Sequence, residues 1–285
     1  MIKLNKPQIK QKDIVDDCID NMRESIKQKR LSESKNEIIT VSEQYDILAE
    51  SGSLLKMASK EKTESGASKE DLIYLYNNKF AKKGQLARKY YDEIILSAPN
   101  GKCPQCGLRQ VKTLDHYLPK SKYPLLAITP YNLIPCCSDC NRDKLDGLFN
   151  SREKETMHPY YDDFDDEVWL KATLIEEDPL AFNFFVFKPD IWTKLKYDRA
   201  QNHFEVFKLN DLYKAWAVDS IITDLGGIYR LFQNCGEEIA REEISYRILD
   251  VRKINKNAWK AAYYEAINIS EWFWKQYLPN YRINL

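Results

Sequence analysis

The chain has 285 residues, of which 44% are hydrophobic and 30% charged, a balance typical of globular proteins and not of disordered or membrane-spanning chains. It contains no run of about 18 apolar residues, and its first residues, MIKLNKPQIKQKDIV, lack the apolar segment of a secretory signal. The sequence therefore predicts a cytoplasmic protein with no membrane partner. That compartment keeps thiols reduced and favours metal binding over disulfides.

Charge is balanced overall but unevenly distributed along the chain. Lysine and arginine together number 43, as do aspartate and glutamate, so a basic coat for nucleic acid is not expected. Five basic residues and no acidic one lie between Asp71 and Asp92, more basic residues follow around the cysteines, and five acids occur within 162–167. A basic surface is therefore predicted around the cysteine-rich centre, unless the run 79–89 is only a solvated helix face.

Helical patterns dominate the first third of the chain. Apolar residues at helical spacing predict one helix over 12–31 and a second over 36–50. The segment 53–71 has the composition of a loop, and Ser68 with Asp71 matches a capping box that opens a helix running to Phe80. Gly84 interrupts this helix, and QLARKYYDEIILS predicts another helix that ends at APNG.

Beyond the cysteines the pattern changes to β-strands and then returns to helices. The runs EVWLKATLIEE and AFNFFVF, separated by DPL, predict a β-hairpin, and helices are predicted at about 210–233 and 256–277. Aromatic residues of the last helix, such as Trp259 and Trp274, are assigned to the core. The chain is thus expected to be α+β, with a helical region over 1–98, a small mixed centre over 99–165, and a hairpin with helices over 166–285.

Four of the seven cysteines form two CxxC pairs with 30 residues between them: Cys103 with Cys106, and Cys137 with Cys140. Thiolates two residues apart reach one ion from a tight turn, and two such turns complete the tetrahedral four-thiolate shell of a structural zinc site. Cys136 also lies near Cys140, but only Cys137 has the two-residue spacing, so Cys136 is assigned to packing. Cys18 and Cys235 are expected to be buried as small apolar residues.

Between the two pairs lie Asp115, His116 and Asn132, and Asn141 follows the last cysteine. The segments CPQCG, TLDHYLPKSKYP and NLIPCCSDCN, together with the Asn-x-x-Lys that begins at Asn141, resemble the HNH endonuclease family. Many members of that family hold a ββα-metal site together with two CxxC zinc pairs. The resemblance implies a central ββα-metal module, held together by zinc, within a mainly helical chain.

The resemblance also implies a role for each of these residues. His116 would be the general base that takes a proton from the attacking water, as a neutral histidine can near physiological pH. Asp115 and Asn141 would hold a catalytic Mg²⁺ or Mn²⁺ through oxygen, and Asn132 would orient the base without touching substrate. Structural Zn²⁺ would fix the end of the first strand and the start of the helix together.

Four basic residues near these positions are candidates for contacts with DNA phosphates on either side of the cut: Lys120, Lys122, Arg142 and Lys144. At least one of them is expected to be an ordinary exposed charge. His158, in MHPYYDDF, is assigned to packing beside the hairpin, and the alternative is a metal or phosphate contact.

The expected function is therefore that of a metal-dependent HNH endonuclease that nicks or cuts DNA. The flanks MIKLNKP and HPYYDDFDDEVWL resemble bacterial HNH proteins, some of which are nuclease partners of ATPases in anti-phage systems such as Septu. A defence role with an ATPase partner is thereby implied. The alternative is a zinc-ribbon module that binds nucleic acid or protein without cleaving it, although such a module needs neither the Asp-His pair nor the two asparagines. A third interpretation, motivated by the zero net charge, is a nuclease that stays silent until a partner releases it.

Overall fold

The computed structural model describes residues 1–144, Gly147 and 149–281, so the last four residues of the region predicted over 166–285 lie outside the described residues. Within the described part, helices predominate and two antiparallel strand pairs complete the fold, which confirms the predicted α+β class. No described helix is long and apolar enough to cross a membrane. The chain divides into two compact units, one of residues 2–162 and one from Asp163 onward.

The helices of the first unit follow the apolar spacing of the sequence. They are α1 (Gln11–Ile19), α2 (Ile26–Glu33), α3 (Lys35–Glu50), α4 (Lys69–Tyr74) and α5 (Arg88–Leu96). The single helix predicted over 12–31 is wrong, because the chain breaks after α1 and starts a new helix. Ser25 is the N-cap of this second helix, and its hydroxyl accepts a hydrogen bond from the backbone N–H of Gln28.

The predicted capping box at the start of α4 is confirmed. The Ser68 hydroxyl accepts from the Asp71 N–H, and the Asp71 carboxylate accepts from the Ser68 N–H, both at 3.3 Å. Asp71 also receives a hydrogen bond of 2.6 Å from Arg30 of α2, which ties the two helices together. The chain then continues directly from α4 into a π-helical segment, Leu75–Phe80, which ends at the predicted residue.

A strand–strand–helix arrangement occupies the end of the first unit. Strands β1 (Thr113–His116) and β2 (Leu133–Cys136) are antiparallel, with Thr113 opposite Cys136, and α6 (Ser138–Lys144) follows β2 after one residue. Leu114 and Leu133 are buried in one hydrophobic cluster with residues of α1, α3 and the π-helical segment. The helices of the N-terminal third therefore share a core with the strands.

The first residues of the chain are also bonded to this arrangement. The Ile2 N–H donates to the carbonyl of Pro104 at 2.8 Å, and the Leu4 N–H donates to the carbonyl of Pro159 at 2.9 Å. The side chain of Leu4 is buried in a second hydrophobic cluster with Tyr45 and Tyr117. The first residues of the chain thus pack against segments that follow them by more than 90 positions and complete the unit.

The second unit consists of a hairpin covered by helices. It contains β3 (Leu170–Ile175), β4 (Ala181–Val186), α7 (Lys194–Val206), α8 (Leu209–Cys235), α9 (Glu237–Ile254), α10 (Trp259–Ile269) and α11 (Leu278–Asn280). The two strands pair antiparallel, which confirms the predicted hairpin. Helix α10 packs against β3, and α8 packs against β4.

Some details of the second unit differ from the sequence-based expectation. Helices α7 and α9 are not anticipated, because they bury few apolar side chains; in α9 only Ala240, Ile244 and Ile248 are buried. Cys235 is exposed, since it ends α8 where the chain turns at Gly236, whereas Cys18 is buried as expected. The assignment of the last aromatic residues to the core is confirmed in part, because Tyr263 and Trp274 are buried while Trp259 and Trp272 are half-buried.

Candidate metal centre and catalytic cleft

The first cysteine pair lies in a tight knuckle just before β1. Cys103 and Cys106 are buried, and the Gly107 N–H donates to the Cys103 carbonyl at 2.7 Å. Gly107 has a φ of 67°, a left-handed conformation that favours glycine, so the glycine closes the turn without strain. The Arg109 N–H points at the sulfur of Cys106 at 3.5 Å.

The second pair lies where β2 leads into α6. The Cys140 N–H donates to the sulfur of Cys137 at 3.4 Å, and the Asn141 N–H donates to the Cys137 carbonyl at 3.1 Å. The four sulfurs of the two pairs are buried and lie within 4.8 Å of one another. A tetrahedral zinc site with Zn–S bonds of about 2.3 Å places its sulfurs about 3.8 Å apart. The four cysteines predicted from spacing thus form a cluster that can bind structural zinc.

A fifth thiol lies beside this cluster. Cys136 is the last residue of β2, is fully buried, and has its sulfur 3.9 Å from that of Cys103. It is not a member of the four-sulfur group. Hydrogen bonds among these thiols divide their acidity: the bond with Cys106 lowers the pKa of Cys103, and the same bond raises the pKa of Cys106.

A cleft opens at the side of β1. Its volume is about 500 Å³, and it is lined by Tyr76, Thr113, Leu114, Asp115, His116, Pro119, Lys120 and Asn141. Asp115 and His116 come from the end of β1, and Asn141 comes from α6. The structure therefore brings together in one cavity the acid, the histidine and the last asparagine that the sequence pattern singles out.

The imidazole of His116 is nearly buried and held by one backbone group. Its Nε2 lies 2.9 Å from the carbonyl oxygen of Ala127, so Nε2 carries the proton and donates. Burial, with a smaller contribution from the charge of Lys120, lowers the pKa of His116 to about 3. The ring is consequently neutral near pH 7, and Nδ1 is the nitrogen left to accept a proton.

Asp115 forms a buried ion pair. The Lys144 ammonium lies 2.9 Å from Oδ2 of Asp115 and donates to the His116 carbonyl at 2.6 Å. Burial raises the pKa of Asp115, and the positive charge of Lys144 opposes that rise. Lys144 is therefore part of the interior of the site and is not available at the surface.

Asn132 is fully buried, and its side chain forms hydrogen bonds with backbone groups in the part of the chain that the structure describes. Its Oδ1 accepts from the Leu118 N–H at 2.7 Å, and its Nδ2 donates to the carbonyls of Leu118 at 3.0 Å and Leu126 at 3.4 Å. These bonds fasten the loop between β1 and β2, and that loop supplies the Ala127 carbonyl to His116. Asn132 thus lies behind the cleft and fixes the loop that holds the imidazole.

The other basic candidates lie in different surroundings. Lys120 lines the cleft, and Lys122 is exposed on the same loop. Arg142 is exposed and donates to Asp139 at 2.8 Å within α6. Of the four basic residues proposed for phosphate contacts, the structure brings only Lys120 into the cavity.

His158 lies in an aromatic cluster of the first unit. Its Nε2 is 3.0 Å from the Tyr45 hydroxyl, its Nδ1 accepts from the Tyr160 N–H at 3.2 Å, and the Tyr117 ring lies 4.2 Å away. This environment supports a packing role for His158.

Comparison with known proteins gives one likeness along most of the chain and one over a short part of it. Protein ea31 of Escherichia phage lambda is 29% identical over 253 residues, which cover 82% of this chain and 85% of the lambda protein. The Septu protein PtuB of Bacillus thuringiensis is 31% identical over 80 residues, 26% of this chain. That match covers 30% of PtuB. No family model matches the chain, and no solved structure matches it.

Tyr76 is a cleft residue that the sequence pattern does not reveal. It lines the cavity from the π-helical segment, about 40 positions before His116, and no motif connects the two. The only sequence signal is its place in the basic, aromatic stretch between Asp71 and Asp92. That signal is too general to identify a single residue.

Proposed function

We propose that this chain is a metal-dependent HNH endonuclease that hydrolyses phosphodiester bonds of DNA. The observation that carries the proposal is the convergence of Asp115, His116 and Asn141 on one cleft, with the imidazole bonded through Nε2 to a backbone carbonyl. That bond leaves Nδ1 free to act as a base. A neutral imidazole can accept a proton, but burial makes His116 a weak base, so the bound cation would also have to make the attacking water more acidic.

The donor set of the cleft fits a hard divalent cation. Mg²⁺ or Mn²⁺, when bound, supplies positive charge for the phosphate and the leaving oxygen. Asp115 and Asn141 would hold it, because carboxylate and amide oxygens are the ligands such ions prefer and both side chains line the cleft.

The remaining cleft residues would act on water and on phosphate. His116 would take a proton from the attacking water at Nδ1, while the Ala127 carbonyl keeps the other proton on Nε2. Asn132 would support this arrangement by fixing the loop that carries Ala127. Lys120 would contact a phosphate next to the cut from the cleft wall, and Lys122 and Arg142 would contact phosphates further away. Lys144 is buried against Asp115, so we assign it the role of holding the carboxylate in place and not that of contacting a DNA phosphate.

Zinc at the four cysteines would be structural, because four sulfur ligands leave no open position for substrate. The cluster joins the segment before β1 to the start of α6, and these elements carry Asp115, His116 and Asn141. Bound zinc would thereby keep the acid and the asparagine at a fixed separation.

The partial similarity to a Septu protein supports a role in anti-phage defence. In that role an ATPase would be the partner, and the reaction would take place in the cytoplasm. The zero net charge supports control by a partner, because phosphate neutralisation supplies much of the affinity for DNA.

A second candidate function is a zinc-binding module that recognises nucleic acid or protein without cleaving it. The ion pair between Lys144 and Asp115 favours this alternative, because it already neutralises the carboxylate that would hold the cation. The two candidates differ in whether phosphodiester bonds are broken.

The test uses the purified full chain, supercoiled plasmid, and Mg²⁺ or Mn²⁺, with EDTA in a parallel reaction. We expect at most weak metal-dependent nicking by the wild type alone and stronger cleavage once a partner releases it, with a loss of at least about 100-fold in His116→Ala and Asn141→Ala, as is typical when a general base or metal ligand is removed. Asn36→Ala, an exposed asparagine of α3, is the matched control and should cleave like the wild type. Zinc content and circular dichroism confirm that each variant is folded.

The reaction is repeated with a candidate ATPase partner and ATP, since a gated nuclease is silent alone. Strong cleavage by the isolated chain would contradict the gating. Equal inactivity of the wild type and His116→Ala under all of these conditions would contradict the nuclease and favour the binding module.

A further inference from the structure

Tyr76 enters the cleft from outside the ββα arrangement. It belongs to the π-helical segment Leu75–Phe80, which interrupts what would otherwise be one helix from Lys69. Such segments are rare and occur often at functional sites, because the wider turn redirects side chains. Tyr76 is nearly buried, yet it lines the cavity together with Asp115 and His116.

The Tyr76 ring contacts the proposed base directly. The ring centroids of Tyr76 and His116 are 4.5 Å apart with an interplanar angle of 65°, an edge-to-face arrangement. The Tyr76 ring is itself fixed from two sides: Phe80 stacks on it at 5.8 Å, and its hydroxyl donates to the Leu114 carbonyl at 3.5 Å. The imidazole thus packs against a ring that is itself held by two contacts.

This contact supplies a restraint that the hydrogen bond lacks. The bond from Nε2 of His116 to the Ala127 carbonyl is a single contact, and rotation of the ring about its Cβ–Cγ bond breaks it. Such rotation would redirect Nδ1 and take the Nε2 proton away from its acceptor, so the preference for one tautomer would be lost. The Tyr76 ring occupies the space beside the imidazole and therefore limits the rotation.

Tyr76 also contacts the one basic candidate in the cleft. The Lys120 ammonium lies 5.1 Å from the centroid of the Tyr76 ring, within the range of a cation–π interaction. One aromatic ring consequently touches both the imidazole and the ammonium of the cavity.

We propose that Tyr76 is a positioning residue of this cleft, whose ring sets the orientation of the His116 imidazole and of the Lys120 ammonium. This inference rests on the proposed nuclease function for its kinetic consequence but not for its structural one. It assigns part of the active cleft to the N-terminal helical region, which the ββα pattern does not include. Removing the ring should lower kcat much more than it raises KM, since the lost property is orientation of the base.

The test compares Tyr76→Leu, Tyr76→Phe and Tyr91→Leu in the full chain. Tyr91 is the matched control, because it is buried in the same hydrophobic cluster and packs edge-on against Phe80 at 6.0 Å, but it does not line the cleft. We expect a loss in kcat of about 10- to 100-fold in Tyr76→Leu, with KM changed less than about 3-fold. Tyr76→Phe keeps the ring and should lose only about 2- to 3-fold, the value of one weak hydrogen bond.

A second readout does not depend on cleavage. Long-range ¹H–¹⁵N spectra of the imidazoles identify which nitrogen carries the proton, and His116→Ala assigns the signal among only three histidines. We expect a single Nε2–H tautomer for His116 in the wild type, Tyr76→Phe and Tyr91→Leu, and mixed tautomers in Tyr76→Leu.

An unchanged His116 signal in Tyr76→Leu would overturn the inference, as would an equal kcat loss in Tyr91→Leu. If the wild type does not cleave under any condition, the proposed function fails, and the tautomer measurement still decides the role of Tyr76.

Discussion

The ammonium of Lys144 lies 2.9 Å from Oδ2 of Asp115, and both side chains are almost fully buried. Removing one partner of a buried pair leaves the other charge without compensation. We therefore expect Lys144→Met to lower the free energy of unfolding of the first unit by about 3 kcal/mol. This change in stability is measured by unfolding the protein in urea and monitoring the release of zinc, because the cysteine cluster belongs to this unit.

Arg142→Met is the control for this prediction. Arg142 lies two residues away in the same helix, but it is exposed and its contact with Asp139 is at the surface. Its replacement should change stability by less than about 0.5 kcal/mol. The double variant Asp115→Asn with Lys144→Met should recover part of the loss; additive effects would show that the two side chains do not interact.

Removal of a predicted zinc ligand should abolish metal binding. We expect about one zinc per chain in the wild type and much less in Cys106→Ser and Cys137→Ser. Both variants should unfold under conditions in which the wild type stays folded. Cys136→Ser is the matched control, because Cys136 is equally buried but lies outside the four-sulfur group. Metal analysis of the purified proteins distinguishes the two cases. Zinc retained by Cys137→Ser and lost by Cys136→Ser would reverse the assignment.

Loss of the Asn132 side chain should destabilise the loop that holds His116. Asn132→Ala leaves the buried N–H and carbonyl of Leu118 without their partner, so we expect a loss of about 3 kcal/mol, measured by zinc release in urea. Thr129→Val, in the same loop, is the control: the Thr129 hydroxyl is buried and has no hydrogen-bond partner among the described residues. That variant should be neutral or more stable, and a comparable loss in both would disprove the role of the amide.

The side chain of Asn257 should stabilise the first residues of the second unit. Its Oδ1 accepts from the Trp169 N–H at 2.8 Å, and its Nδ2 donates to the Glu167 carbonyl at 2.9 Å. We expect Asn257→Ala to cost about 3 kcal/mol, whereas Asn234→Ala, at an exposed position of α8, costs less than about 0.5 kcal/mol.

Tryptophan fluorescence is the measurement for Asn257, since all six tryptophans lie beyond residue 163. Zinc release reports on the other unit and serves as an internal reference. A shift of zinc release as large as the shift of the fluorescence transition would contradict a local effect.

The sequence predicts well those features that depend on short-range chemistry. The capping box of Ser68 and Asp71 and the CxxC knuckles are set by neighbouring residues, and the structure contains them. The hairpin of β3 and β4 follows from alternation of apolar residues over a few positions. Such patterns depend only on residues that are close in the sequence.

Features that depend on long-range packing are missed. The role of Tyr76 becomes visible only through its contact with His116, and that of Lys144 only through its contact with Asp115. The sequence predicts that Lys144 is exposed, because lysines usually are. Its burial depends on the position of Asp115 in the folded chain, which supplies the opposite charge. The break after α1 is missed for a different reason: the apolar spacing continues through it and hides the local signal, which is the N-cap at Ser25.

The backbone bonds of Ile2 to Pro104 and of Leu4 to Pro159 have a consequence for biosynthesis. Ribosomes add about 5–20 residues per second, so roughly 8–30 s separate the emergence of Leu4 from that of its partner. During that interval the thiols of the first knuckle are already translated while the unit that buries them is incomplete. The availability of zinc to the nascent chain should therefore decide how much protein reaches the native state, independently of the stability of the finished fold.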